Sequence, residues 1–303
     1  MSFADVIGHE PVIRLLKGQI AHDRLAHTYL FVGPEGIGKQ ALAVAFAQEL
    51  GCGPHDLFIV KPELESGDIG IEQIRTMEGW MSLTPFSGNW KVAILDPADQ
   101  LTEESTHACL KILEEPPARS IFILLARAPH RLPATLLSRC HRVRCSPQGI
   151  ERTAATLQEK ENLDPAAARM LAICSGGRLG MALQFHKTNR LTDRNEALDL
   201  ILSALKRRDI ENPFPKKASR EEIKEYVEWY AGWWRDLLVL SVGGNPDWVI
   251  HQDRLEDLKK ETKQSPGELE EILRQVDRAY LVQEAVQRNA SVKTALAVLL
   301  SHV

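Results

Sequence analysis

The segment His27–Leu50 reads HTYLFV, GPEGIGK and QALAVAFAQEL in turn, and it contains the most specific pattern in the chain. The apolar run His27–Val32 predicts a buried strand, Gly33–Lys39 a phosphate-binding loop, and Gln40–Leu50 a helix. In this setting, backbone amides at the start of a helix can hold phosphate groups. The alternative, an ordinary glycine-rich turn between a strand and a helix, does not explain the lysine as well.

One position of the loop departs from the motif GxxxxGK[ST]. In that motif the loop amides and the lysine hold the phosphates of a nucleotide, and the final small hydroxyl ligates magnesium. This chain matches through Lys39 but has the longer amide Gln40 at the last position. We therefore expect any binding of ATP or ADP to be weak.

A second nucleotide-site element ends the apolar run Lys91–Asp96, KVAILD. Asp96 fits the acid that holds magnesium through water, although a cap at the end of a strand is the alternative interpretation. ATPases of this kind place a glutamate next to that acid as a general base, and this chain has Pro97. General-base catalysis contributes about 10²–10⁴ in rate, so we expect no efficient catalysis from this chain by itself. The candidate nucleotide-contacting residues are Gly33, Gly36, Gly38, Lys39, Gln40 and Asp96.

Composition limits the classes of function. The 303 residues predict two or three domains. The formal net charge is -4, whereas a protein that binds DNA independently is usually basic. The five cysteines form no CxxC pair, which favours a reducing cytoplasm. No apolar run is long enough for a membrane span and the start has no export signal, so we expect a cytoplasmic protein.

Strand and helix patterns alternate through the first half of the chain, with helices predicted at Phe3–Ala21, Ile71–Leu83 and Thr102–Glu115 and further strands at Leu57–Val60 and Ser120–Ala126. This alternation predicts an α/β domain with an open, mostly parallel sheet covered by helices on both faces. From Gly149 onward the pattern is helical, with breaks at glycines and prolines. We predict an α/β P-loop domain at 1–148, a small helical lid domain at 149–187 and an all-helical C-terminal domain at 188–303.

Five stretches resemble a known family, the bacterial replication clamp-loader subunits of the AAA+ class, and within it the delta-prime subunits of DNA polymerase III. They are FADVIGHEPVIRLLKGQI (Phe3–Ile20), RLAHTYLFVGPEGIGK (Arg24–Lys39), LDPADQLTEESTHACLKILEEPP (Leu95–Pro117), LPATLLSRC (Leu132–Cys140) and NASVKTALAVLLSHV (Asn289–Val303). The resemblance implies an AAA+ fold with a C-terminal collar. It also implies a subunit of the DNA polymerase III holoenzyme.

The resemblance gives a role to Arg139, the arginine of the SRC motif. In this family that arginine reaches into the nucleotide site of the neighbouring subunit. A planar, permanently charged guanidinium suits the charge that develops on a transferring phosphoryl group. A surface arginine without such a role is the alternative.

Further departures from the family's active ATPases favour a stator, a subunit that supports the complex with little or no ATPase of its own. Ala126 stands where they carry a polar sensor, and Gly180 where they carry a lid arginine. Two alternatives remain open at this point. One is an active motor subunit of the same complex, which Lys39 and Asp96 favour, and the other is a small-molecule P-loop kinase.

The resemblance implies a hetero-oligomer without a membrane partner. The expected partners are the ATPase subunits and the clamp-opening subunit of the loader, with the sliding clamp and primer-template DNA engaged through the complex. Four tryptophans lie close together in the C-terminal part, at Trp229, Trp233, Trp234 and Trp248. Tryptophan is enriched at interfaces, although a core stripe on one helix explains most of this pattern.

Zinc is not expected. Some family members carry a four-cysteine module after the P-loop helix, but this chain has Cys52 there with no second cysteine close by. A structural zinc site needs four ligands. The pair formed by Cys52 and His55 is interpreted as incidental.

Overall fold

The computed structural model describes residues 2–63, 67–207, 220–264 and 269–287. They form two compact units: one contains the residues up to Thr153 together with Gly176–Met181, and the other contains Ala154–Ser175 with the described residues from Ala182 onward. The predicted domain boundaries at 149 and 188 stay predictions. The C-terminal part of the family resemblance, Asn289–Val303, lies outside the described residues.

The first unit is built on a parallel five-stranded sheet. The strands are β1 (Thr28–Val32), β2 (Leu57–Val60), β3 (Lys91–Leu95), β4 (Ser120–Ala126) and β5 (His141–Arg144). Their order across the sheet is β2-β3-β4-β1-β5, and each neighbouring pair is parallel. The predicted α/β fold with a parallel sheet is confirmed. All carboxyl ends of the strands therefore meet at one edge, where ligand sites of such sheets lie.

Helices cover both faces of this sheet. They are α1 (Glu10–Ala21), α2 (Lys39–Glu49), α3 (Ile71–Met81), α4 (Glu103–Glu114) and the short α5 (Ala134–Leu137). Side chains alternate between faces along a strand, so Tyr29 and Phe31 pack with α1 and α2 while Leu30 packs with α3 and α4. This is why the central strands read as continuous apolar runs.

Two elements differ from the sequence prediction. The helix predicted from Phe3 begins only at Glu10, because Gly8 and His9 have left-handed backbone angles with φ of 77° and 61°. The strand β5 was not predicted, since its sequence HRVR contains one apolar residue. At an edge of the sheet this strand buries only Val143 and leaves both arginines exposed.

The helices after β5 are α6 (Ile150–Glu161), α7 (Pro165–Cys174), α8 (Leu179–Lys187), α9 (Arg190–Arg207), α10 (Arg220–Ser241), α11 (Leu255–Gln264) and α12 (Leu269–Gln287). In the second unit, Tyr230, Trp233 and Leu237 of α10 are buried in the core, whereas Trp248 is 64% exposed. The aromatic pattern is thus mainly a core stripe. None of the helices in the described ranges combines the length and the apolar character that crossing a membrane requires.

Candidate functional site

The glycine-rich loop lies where the sequence predicts it, between the carboxyl end of β1 and the start of α2. Gly36 and Gly38 adopt φ angles of 74° and 95°, which side chains with a Cβ rarely tolerate. Gly33 is needed for a different reason: a Cβ there would lie 2.4 Å from the carbonyl oxygen of Cys145. The backbone shape of the loop therefore depends on all three glycines.

Lys39 is buried and bonded to its own loop. Its side chain is 7% exposed, and Nζ donates to the carbonyl oxygens of Gly33 at 2.6 Å and Pro34 at 2.8 Å. Burial lowers the pKa of Lys39, and the nearby carboxylate of Asp96 opposes that shift. To bind a phosphate, the Lys39 ammonium would have to give up its hydrogen bonds to the carbonyl oxygens of Gly33 and Pro34.

Asp96 follows β3 at the same edge of the sheet. Burial raises the pKa of this half-buried carboxyl group, while Lys39, Lys61 and Arg127 act in the opposite direction. Lys39 and Asp96 thus both lie at the carboxyl edge of the sheet, as the sequence predicts. Gln40 is half-buried in the first turn of α2, and the residue after Asp96 is buried Pro97.

An ion pair not anticipated from the sequence connects β4 with the loop. The guanidinium of Arg127 pairs with Glu35 of the loop, and the backbone N–H of Arg127 donates to Asp99 Oδ1 at 2.9 Å. Arg127 comes directly after Ala126, which ends β4. A cation is thus held beside the loop by a carboxylate of the loop itself.

The start of α8 contacts the same loop. The backbone N–H of Met181 donates to the carbonyl oxygen of Gly36 at 3.1 Å, and a Cβ on Gly180 would lie 2.7 Å from that oxygen. A side chain at residue 180 would therefore require the two segments to separate. A larger side chain, such as the lid arginine that the family resemblance leads one to expect there, does not fit this arrangement.

His9 supports the loop from the amino-terminal side. The ring is buried, and its Nε2 lies 2.7 Å from the carbonyl oxygen of Ile37. A carbonyl oxygen can only accept, so we assign the proton to Nε2. No sequence pattern predicts this contact, which joins residues 28 apart.

Arg139 lies at the opposite end of the sheet from the loop. It precedes β5 by two residues, and His141 of β5 is paired with Tyr29 of β1 in parallel register. Gly33 follows Tyr29 by four residues at roughly 3.3 Å each, so the amino end of β5 lies about 13 Å along the strands from the level of the loop. The structure does not bring Arg139 together with the other predicted site residues.

Two groups of the same unit hold the Arg139 guanidinium. Nη1 donates to the carbonyl oxygen of Thr135 at 2.7 Å, and Nη2 forms an ion pair with Oε1 of Glu114 at 2.6 Å. The Arg139 side chain is 35% exposed. The guanidinium is thus both fixed and accessible.

A glycine-rich loop at the carboxyl edge of this parallel sheet, bonded through Gly36 to the start of α8, fits a P-loop protein of the AAA+ class. The comparisons with known proteins agree with this class. The family model described as DNA polymerase III, delta subunit, matches residues 8–56 and 53–149. The DNA polymerase III subunit delta' of Pseudomonas aeruginosa is 29% identical over 246 residues, which is 74% of each chain.

Two further relatives come from Bacillus subtilis. Its DNA polymerase III subunit delta' is 28% identical over 283 residues, covering 84% of each chain. Its DNA polymerase III subunit tau is 30% identical over 200 residues, covering 59% of this chain and 36% of the relative. The chain is thus similar to clamp-loader subunits of the delta-prime and tau kinds, and it is delta-prime-like.

The surroundings of Cys52 bear on metal binding. The thiol is buried, and burial together with the charge of Asp56 raises the pKa of Cys52 to about 11. Within the described ranges, no three His, Cys, Asp or Glu side chains are grouped so that they could hold a metal ion. The expectation of a zinc-free protein stays a prediction, to be checked by metal analysis.

Proposed function

We propose that this chain is the stator of a clamp loader and that it donates Arg139 to ATP bound by a neighbouring ATPase subunit. The observation that supports this most strongly is the position of Arg139 at the end of the sheet opposite its own phosphate-binding loop. An arginine that is held by Thr135 and Glu114 just before the amino end of β5, about 13 Å along the strands from the loop, does not reach a nucleotide in the same chain. It is accessible to a neighbour's nucleotide.

The features around the chain's own loop support a subunit with little ATPase activity. Loop amides and Lys39 would hold the phosphates of a bound nucleotide, but Lys39 already bonds to Gly33 and Pro34. Gln40 replaces the magnesium-ligating hydroxyl and Pro97 replaces the general base. Any ATP or ADP held here would be bound weakly and turned over slowly.

The expected partners follow from the family. The relatives' names describe subunits of DNA polymerase III, which favours a hetero-oligomer with ATPase subunits and a clamp-opening subunit. Contact with the sliding clamp and primed DNA would be made through that complex, in the cytoplasm. The formal net charge of -4 fits a subunit that does not bind DNA by itself.

The chemistry of the proposed finger has a known scale. Arginine fingers supplied in trans contribute about 10³–10⁵ in rate where they act on phosphoryl transfer. Lysine is a poor substitute, because an ammonium cannot present the planar fork of donors. Since a loader has other ATP sites with their own arginine fingers, removing the Arg139 guanidinium would lower the ATPase rate of the whole complex only in part.

The test is the steady-state ATPase of reconstituted loader with clamp and primed DNA. Arg139→Ala should assemble normally and remove about one site's share of the rate, and Arg139→Lys should restore little of it. Arg75→Ala is the matched control, because Arg75 also pairs with a glutamate at 2.6 Å but lies on α3. Unchanged rates with Arg139→Ala would reject the finger.

An active motor subunit is the alternative, since Lys39 and Asp96 are both present and close enough to affect each other's pKa values. Lys39→Ala separates the two functions. A stator carrying this change should leave the ATPase of the complex nearly unaltered. A collapse of the rate would establish the motor function instead.

A further inference from the structure

We infer that Glu114 is a positioning residue for Arg139, holding the guanidinium in the orientation from which it acts on a neighbour's nucleotide. This inference rests on the proposed function of Arg139. It assigns a role to a second residue that does not itself touch the nucleotide.

The ion pair between Arg139 and Glu114 connects the end of α4 with the turn that precedes β5. Glu114 is the last residue of α4, beside the buried Ile112 and Leu113, and two prolines follow shortly after it. Prolines restrict the backbone at this helix end. The carboxylate is therefore presented from a well-anchored backbone.

The second contact comes from α5, the short helix that ends two residues before Arg139. The carbonyl oxygen of Thr135 in α5 accepts from Nη1, while Glu114 accepts from Nη2. Two acceptors from two different helices fix both the place and the plane of the guanidinium. A single contact would leave the group free to rotate about the bond to that acceptor.

Holding the guanidinium does not use up its donors. An arginine side chain has five N–H groups, and two of them make the bonds to Thr135 and Glu114. The remaining three are available to phosphate oxygens. Because an unrestrained arginine loses much side-chain freedom when it binds, restraint in advance favours the transition state of the neighbour's reaction.

The adjacent residue provides a matched control. Glu115 is exposed and, within the described part of the chain, forms no hydrogen bond or ion pair. Glu114→Gln and Glu115→Gln make the same change of charge one residue apart. Neither substitution introduces a side chain of different size.

The first measurement uses the isolated full chain and needs no partner. The ¹⁵N guanidinium signals of Arg139, assigned by their loss in Arg139→Lys, report how fast the group rotates. We expect slow rotation in the wild type, faster rotation in Glu114→Gln and no change in Glu115→Gln. Equal rotation rates in all three would show that Glu114 does not hold the finger.

The second measurement uses reconstituted loader with clamp and primed DNA. The Arg139-dependent part of the ATPase rate is the difference between the wild-type and Arg139→Ala complexes. Glu114→Gln should lower this part about two- to fivefold, the factor that corresponds to the upper range measured for exposed ion pairs. The effect should fall on kcat, with KM for ATP unchanged, and Glu115→Gln should have none.

Three outcomes would overturn the inference. An equal loss when Glu114→Gln is added to Arg139→Ala would show that Glu114 does not act through the finger. A higher rate in Glu114→Gln would show that the carboxylate holds the finger away from its target. If Arg139→Ala leaves the rate unaltered although Glu114→Gln speeds guanidinium rotation, the ion pair is real but the finger is rejected, and the positioning role falls with it.

Discussion

The backbone N–H of Met181 donates a hydrogen bond to the carbonyl oxygen of Gly36, with an N···O distance of 3.1 Å. This bond joins the start of α8 to the phosphate-binding loop. It is possible because residue 180 is glycine, whose missing side chain lets the two backbones approach. The shape of the loop and the position of residues 179–181, which belong to the same unit, therefore depend on one another.

Gly180→Ala should weaken this contact. The new Cβ would lie 2.7 Å from the Gly36 carbonyl oxygen, a backbone atom that cannot move independently of the loop. Overpacking of this kind costs about 1–3 kcal/mol, so the free energy of unfolding measured with urea should fall by that amount. Gly79→Ala is the control, since a Cβ in that helix meets no atom within 4 Å. There alanine should be neutral or stabilising, and equal losses at both positions would contradict the prediction.

Much of the fold could be predicted because the central strands are buried on both faces. Continuous apolar runs predict β1, β3 and β4 with errors of at most one residue. The edge strand β5 could not be found in this way, because it buries one side chain and is recognisable only through its pairing with β1. The late start of α1 was missed because the left-handed angle of His9 has no signature in a pattern of apolar residues.

The candidate site was predictable in part. Motif spacing places the loop glycines, Lys39 and Asp96 at one edge of the sheet. The pairing of Arg127 with Glu35 joins segments 92 residues apart, and spacing contains no information on such contacts. The same is true of the pairing between Arg139 and Glu114, which depends on how α4 and α5 pack.

Asp56 should make stability depend on pH. Its carboxylate is buried, which opposes ionisation, but the backbone N–H groups of Phe86, Ser87 and Gly88 donate to it at 2.6, 2.9 and 2.9 Å. These bonds hold the pKa of Asp56 below its ordinary value. Its stabilising effect should be complete well above the ordinary aspartate pKa of about 3.9. It should be lost as the pH falls through the lower folded-state pKa.

Asp56→Asn tests this pH dependence. An amide offers one acceptor oxygen to several donors, so the variant should lose about 1–3 kcal/mol at pH 7. The difference from the wild type, followed by urea unfolding, should narrow as the pH is lowered below about 4. Asp23→Asn, on the exposed surface, serves as the control. A difference that stays constant with pH would show that the charge of Asp56 is not what stabilises its bonds to residues 86–88.

The purified protein should contain far less than one zinc ion per chain. A zinc-ligating cysteine must be deprotonated, and burial keeps Cys52 in its thiol form at neutral pH by raising its pKa to about 11. Chelator should leave the melting temperature unchanged. One tightly held zinc per chain in elemental analysis would overturn this expectation.

Trp248 should contribute to assembly more than to stability. Its side chain is 64% exposed, whereas Trp233 is 1% exposed in the core of the second unit. Trp248→Ala should change the free energy of unfolding by no more than about 0.5 kcal/mol but weaken binding to partner subunits on a sizing column. Trp233→Ala should cost about 3–5 kcal/mol. Normal assembly of the Trp248→Ala chain would remove this residue from the interface.

Gln40 should limit nucleotide binding through magnesium. It occupies the first turn of α2, directly after the buried Lys39, where the loop motif has a hydroxyl that ligates the metal. Gln40→Ser should therefore tighten ATP binding by the isolated chain in magnesium, measured by calorimetry, and leave binding in EDTA unchanged. Gln40→Ala introduces a side chain of nearly the same size as serine but without the hydroxyl, so it should not tighten ATP binding. Turnover should remain far below about 1 s⁻¹, the low end of typical enzymes, because Pro97 supplies no base. Equal gains from serine and alanine would show that the length of Gln40, and not the missing hydroxyl, weakens the site.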